Sequence, residues 1–343
     1  MMKLIVVAIC SLAWIGAAIA PSQKATLSSK PIDANTPVSE LLISLGDAPQ
    51  KHYIKEIDTK KVSIGKDLVL KGNSVMADGT KSKRISEFFV CTDCHNVVPE
   101  AENALENNPY ARLDYAMKHD IPYLTGSTFW GIVNRTGWFN GDHIKKYGDL
   151  VKPANHDLHG AIQLCSRECS SGRYLEDWEL DAMMHYLTSL QLKVSDLKLS
   201  EQEMVRVQQT DGNAAAVALV KSNYLTAVPA TFLEPIPLEN RGLGGKGDVA
   251  KGKFLYEKSC LHCHKEGGVT KTVFGDGKGM KNMTWLLSYL PKNNGGSTYF
   301  ICRKGTSPKK STPQYMPIYS SEKLSDSQLE DLAAFIVEAS KSK

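Results

Sequence analysis

Two short segments of the sequence combine residue types that can perform redox chemistry: Cys91-Thr92-Asp93-Cys94-His95 and Cys260-Leu261-His262-Cys263-His264. In each, two thiols lie three positions apart, on one face of a short helix, and a histidine follows directly. This spacing lets both sulfurs bond to the vinyl groups of one porphyrin while the imidazole takes the iron as proximal ligand. A zinc site would need further paired Cys or His ligands at suitable spacing, and two independent copies argue against a lone redox Cys pair. The expectation is therefore two covalently bound haem c groups, held by Cys91, Cys94 and His95 and by Cys260, Cys263 and His264. His262 reads as a spacer inside the second motif.

Each iron needs a sixth ligand or an open position, and that choice sets potential and substrate access. Of the eight cysteines, four belong to the motifs and Cys10 lies in the N-terminal apolar run, leaving Cys165, Cys169 and Cys302. An odd remainder argues against a purely disulfide role. It flags at least one of these thiols for other chemistry. The alternatives are a local Cys165–Cys169 disulfide, strained if the helix there is regular, or a bridge from either residue to Cys302. His119, His143, His156, His159 and His185 are candidate ligands for the first iron.

The elements that must position these residues form a diverged repeat. Leu175 through Leu187 and Leu324 through Ile336 both begin with leucine and a capping stretch. Both continue with apolar residues at helical spacing and reach an aromatic eleven positions on, at Tyr186 and Phe335. Gly247-Asp248 and Gly252-Lys253-Phe254-Leu255-Tyr256-Glu257 stand just before Cys260. These segments resemble the last and first helices of class I cytochrome c domains, which pack on one another. The resemblance implies that Met316, in the Met316-Pro317 pair before the final helix, is the distal ligand of the second haem; Met280 and Met283 are rivals.

The predicted fold class is mainly α, with two class I cytochrome c-like helical domains joined by a linker. The divisions are a signal peptide over 1–20, a leader over 21–49, a first cytochrome c domain over 50–195, a linker over 196–246 and a second domain over 247–343. The first domain has about 20 more residues between haem motif and final helix than the second, placed in a loop-rich insertion over 125–153. Its Trp130, Trp138, Phe139 and Tyr147 suit either a cap over a haem edge or a satellite cluster under a long loop.

The run Ile162-Gln163-Leu164-Cys165, followed by Ser171-Gly172-Arg173 and the final helix, resembles a segment of the dihaem thiosulfate dehydrogenases. There the pattern is Ile-Asn-x-Cys, then Asn-Gly-Arg or Asn-Gly-Lys. The resemblance implies that Cys165 binds the N-terminal haem as an axial thiolate, that the C-terminal haem passes electrons on, and that the substrate is a small sulfur anion. The arginine that precedes the isoleucine in that family is Ala161 here. Arg135, Arg167 and Arg173 are the substitutes for its charge, and Arg173 joins Cys165 as a candidate catalytic residue.

Charge and composition narrow the remaining classes. A net charge of +4 without single-sign runs gives no argument for nucleic-acid binding. The basic start and the uncharged residues 4–20, ending Ala18-Ile19-Ala20, have the form of a secretory signal. The expected location is periplasmic or otherwise extracytoplasmic, with membrane attachment only if that segment stays uncleaved. The partner is a redox protein such as a small cytochrome, an oxidase or a reductase. Three readings follow: a haem-dependent oxidoreductase of sulfur anions, a non-catalytic dihaem carrier, and a dihaem peroxidase, for which no further motif stands out.

Overall fold

The structure is a computed structural model that describes residues 32–76, 78–209, 214–270, 272–275, 281–306 and 315–341. The N-terminal segment read as a signal, and Met280, lie outside the described residues. Regular structure among the described residues is helical, with isolated β-bridges and no strands.

Helices α1 (Val38–Ser44), α2 (Thr59–Lys71) and α3 (Pro109–His119) precede a loop-rich stretch that contains α4 (Asp142–Tyr147). Then come α5 (Leu158–Leu164), α6 (Asp177–Ser189), α7 (Glu201–Gln209) and α8 (Ala214–Lys221). The remainder holds α9 (Val249–Leu255), α10 (Leu261–His264), α11 (Met283–Tyr289), α12 (Thr298–Lys304) and α13 (Asp326–Ala339). Side chains fix the key starts. Asp58 caps α2 and Asp248 caps α9, each accepting from two backbone N–H groups, and Ser325 with Gln328 forms a capping box on α13.

Two helix pairs repeat. α2 packs on α6 and α9 packs on α13, each pair closest at a glycine. A Cβ at Gly65 would stand 2.1 Å from the Ala182 carbonyl oxygen and 2.9 Å from Tyr186 Cβ. A Cβ at Gly252 would stand 1.9 Å from the Asp331 oxygen and 3.0 Å from Phe335 Cβ. Tyr186 and Phe335 are the two aromatics matched by the sequence repeat, so the alignment coincides with the helix crossings. In the second unit α9 continues through a π-turn, Tyr256–Cys260, straight into the Cys-x-x-Cys-His turn. In the first, residues 72–90 intervene between α2 and Cys91.

Three apolar cores result. The first lies between α2, α5, α6 and the loop bearing Phe129 and Trp138. The second surrounds α9, α11, α12 and α13, and also takes Leu113, Ala116 and Tyr123 from α3 and its following loop. The third joins Val38, Leu41 and Leu42 of α1 to Leu192, Leu197, Val220 and Tyr224. Parts of the stretches read as leader and linker thus form a packed unit of their own. The Pro-bearing segment 225–237 runs along the 125–153 loop, with Thr136 N donating to Thr226 O and Asp142 N to Ala230 O, both within 2.9 Å.

Candidate functional site

At the first motif a short 3-10 turn, Cys91–Asp93, is closed when Val90 N–H donates to Asp93 Oδ2 (2.7 Å). The turn directs Cys91, Cys94 and His95 into a cavity of about 260 Å³ with predominantly apolar walls. His95 Nδ1 bonds the Ser127 carbonyl oxygen at 2.7 Å, which turns Nε2 toward the cavity, and Phe129 stacks on the ring at 4.6 Å. A backbone carbonyl in this role fixes tautomer and orientation of a metal-binding imidazole.

Cys165 lines the same cavity, within hydrogen-bonding reach of His95. It sits where α5 widens into a π-turn, Cys165–Cys169, a feature that brings both sulfurs to one side. The Cys169 thiol donates to Cys165 and, with His95 nearby, holds it well below the ordinary thiol range, which favours the thiolate form that metals bind. Both are free thiols. Cys302 is a free thiol in the second core, so none of the considered disulfides forms among the described residues.

The loop over 125–153 divides. Trp138, Phe139 and Tyr147 line the cavity, whereas Trp130 packs on the third core. His143, the rival ligand on this wall, is enclosed by Phe139 and Phe232 and bonds the Asn140 carbonyl oxygen. Val228, Pro229, Ala230 and Phe232, from the stretch expected to be a surface linker, close another side.

The cavity suits a porphyrin carrying acidic side groups. Its interior is apolar, an imidazole nitrogen and the Cys165 sulfur lie within reach of one another, and the Cys91 and Cys94 thiols line it as well. Trp138 Nε1 is buried there without a hydrogen-bond partner among the described residues, and a buried donor of this kind calls for an acceptor. Arg135, also buried and on the wall, donates only to Ser127 Oγ and the Thr128 carbonyl oxygen.

Arg173 is not on this wall. Its guanidinium makes a bidentate pair with the fully buried Glu179 (2.6 and 2.7 Å) and donates to the Lys83, Arg84 and Tyr174 carbonyls. The cations that line the cavity are Arg135 and Lys323. Lys323 carried no signal in the sequence, because it comes from the loop before α13, over 220 residues from Cys91.

The second motif repeats the first in detail. His264 Nδ1 bonds the Thr272 carbonyl oxygen at 2.6 Å, Phe274 stacks on the ring at 4.4 Å, and burial lowers the histidine's pKa. Met316 packs on the second core alongside Cys260, Leu261 and Phe274, its backbone paired with Thr306 in both directions. The residues on either side of it, Tyr315 and Pro317, line the first cavity instead. One tripeptide therefore serves both sites, its middle side chain on the second core and its flanking ones on the first cavity.

The two motif turns also touch. His262 Nε2 bonds the Thr92 carbonyl oxygen at 3.1 Å, and Cys263 Sγ lies 3.9 Å from the Asp93 carbonyl oxygen. Tyr123 N–H donates to Lys258 O and Ser259 Oγ donates to Tyr123 O. His262, a spacer by sequence, is the residue that joins them.

The family described as "Cytochrome C oxidase, cbb3-type, subunit III" matches residues 247–336. No curated protein and no solved structure matches the chain. The match covers α9 through most of α13 and contains Cys260, Cys263, His264 and Met316. Residues 247–336 are a c-type cytochrome domain, with the covalently bound haem c and the electron-transfer chemistry that such a domain implies.

Proposed function

We propose that the chain is an exported dihaem c-type cytochrome. It would take electrons from a small sulfur anion at the Cys91, Cys94, His95 and Cys165 site and deliver them at the Cys260, Cys263, His264 and Met316 site to a redox protein. The observation that carries this reading is the contact between the two motif turns, which sets the first cavity directly beside the cytochrome domain. Haem bound at each motif would supply a one-electron acceptor, so two together match the two electrons released when a sulfur–sulfur bond forms between two thiosulfate ions.

The chain's own residues supply direction and access. Cys165, as a thiolate, donates electron density and lowers a potential, whereas the thioether of Met316 raises one. Electrons then run downhill from the first site to the second. The apolar walls and the closing segment 228–232 exclude water. Arg135 and Lys323 bring positive charge to the wall and so favour anions. The uncharged residues 4–20 support export. No helix of the described residues is long and apolar enough to cross a membrane.

One observation favours the carrier reading instead. Ala161 is buried on the cavity wall where the resembled family has arginine, and Arg173 is held by Glu179. Stopped-flow mixing of the ferric holoprotein with thiosulfate separates the two. The enzyme reading predicts reduction of the haem bands, with the rate falling at least tenfold in Cys165→Ala. No reduction by thiosulfate, with fast exchange against a small ferrous cytochrome, leaves a carrier.

A further inference from the structure

Behind the first cavity lies a second of about 60 Å³, and Ser127, Arg135, Val228 and Lys323 line both. Arg112, Glu100 and Tyr224 line the smaller one as well. Arg112, Arg135, Lys323 and Glu100 are all at most 8% exposed. Glu100 pairs with Arg112 at 3.2 Å and with Lys323 at 3.1 Å, and accepts from Asn96 Nδ2 at 2.8 Å. Among the described residues Arg135 donates to neutral acceptors alone. Three buried cations thus share one buried carboxylate. Glu322 and Glu106 reach this cavity too and keep their charge, bonded to the neutral Thr231 and to Asn108 N–H, but both are half-exposed, so among the fully buried groups the three cations still face one carboxylate.

Two further donors have no acceptor among the described residues. Arg112 Nε and the Tyr224 hydroxyl are buried without a hydrogen-bond partner, and both residues line the smaller cavity. A net excess of buried positive charge is costly unless an anion compensates it, and so is each orphaned donor. Water would satisfy the donors but brings no charge.

We propose that this wall is a binding site for a small oxyanion, contacted by Lys323, Arg135, Arg112 and the Tyr224 hydroxyl. Such a group accepts at several oxygens and donates none, the complement of this donor set. Burial, and after it repulsion from Arg112 and Arg135, pushes the Lys323 ammonium down to about 8, and an anion would offset that repulsion. Two sources share this chemistry: a free oxyanion from solution, and a carboxylate pendant from a haem in the first cavity. The charge and donor imbalance stands whether or not the first motif carries haem.

Calorimetric titration of the ferric holoprotein with inorganic sulfate, in chloride buffer of fixed ionic strength at pH 7, tests the site. For the free-anion source, one sulfate binds per chain. Lys323→Gln then weakens it at least tenfold, and Tyr224→Phe weakens it several-fold. Tyr224→Phe removes only a hydroxyl without a protein partner, so loss of folding cannot explain its effect. For the pendant source, wild type binds no sulfate, and Lys323→Gln lowers the midpoint potential of one haem while leaving the other unchanged. Sulfate binding that neither substitution alters overturns the proposal, as does absence of both sulfate binding and a potential shift. The number of haems, counted by mass, is a separate readout.

Discussion

Cys165 and His95 reach the first cavity from different elements, one from a π-turn after α5, the other from the turn after Asp93. The Cys-x-x-Cys-His spacing marks His95 in the sequence, whereas Cys165 and Met316 are named there through resemblance to known families. The cation assignment was not legible there. Arg173 stood at a motif position, but a carboxylate buried six residues on, Glu179, claims it. Arg135 and Lys323 become neighbours of the cavity only through tertiary packing. At this scale the account predicts a specific acid sensitivity. Lys323 and Arg112 offset the burial of Glu100 and hold its carboxyl down at about 2, against an ordinary 4.5. A depressed carboxyl stabilises the fold above its unfolded pKa, and that stability drains away as pH falls from about 4.5 towards about 2. The contribution is on the order of 3 kcal/mol near neutrality. Urea unfolding should show Glu100→Gln less stable than wild type by about that amount at pH 6, with the gap closing across that window. A gap independent of pH would show that the carboxylate's charge is not what matters.

Among the elements, the final helices α6 and α13 and the opening helix α9 announced themselves by period and capping. What the pattern did not mark was the partner of α6, because α2 stands 19 residues ahead of Cys91 rather than adjoining it. Nor did it mark the third core, since α1, α7 and α8 are short and bury their apolar residues against one another, the 192–197 turn, Tyr224 and Trp130. The glycine crossings give the sharpest element-level prediction. Gly65→Ala and Gly252→Ala each push a Cβ into backbone, near Ala182 and Asp331 respectively. Each should cost on the order of 1–3 kcal/mol, since the helices must separate to admit the methyl. Thermal unfolding of the holoprotein should show the midpoint falling by several degrees in both variants. A midpoint unchanged in either would mean that the helix pair is not packed as described.

Over the whole molecule, the repeat gives two histidines with the same surroundings: Nδ1 on a backbone carbonyl, a phenylalanine stacked on the ring, and paired cysteines beside it. Their turns meet through His262 and Thr92, and Tyr315-Met316-Pro317 faces both ways between them. None of this adjacency is visible in sequence, because it joins residues about 170 positions apart. It follows from α3 crossing to the second core, where Tyr123 meets Lys258, Ser259 and Gln328. Both motifs are proposed to carry haem. Intact mass spectrometry, after expression with c-type haem maturation, tests this directly. Wild type should carry two haems, and the double variant Cys91→Ala/Cys94→Ala should carry one. A wild-type chain with a single haem, retained in that double variant, would contradict the account.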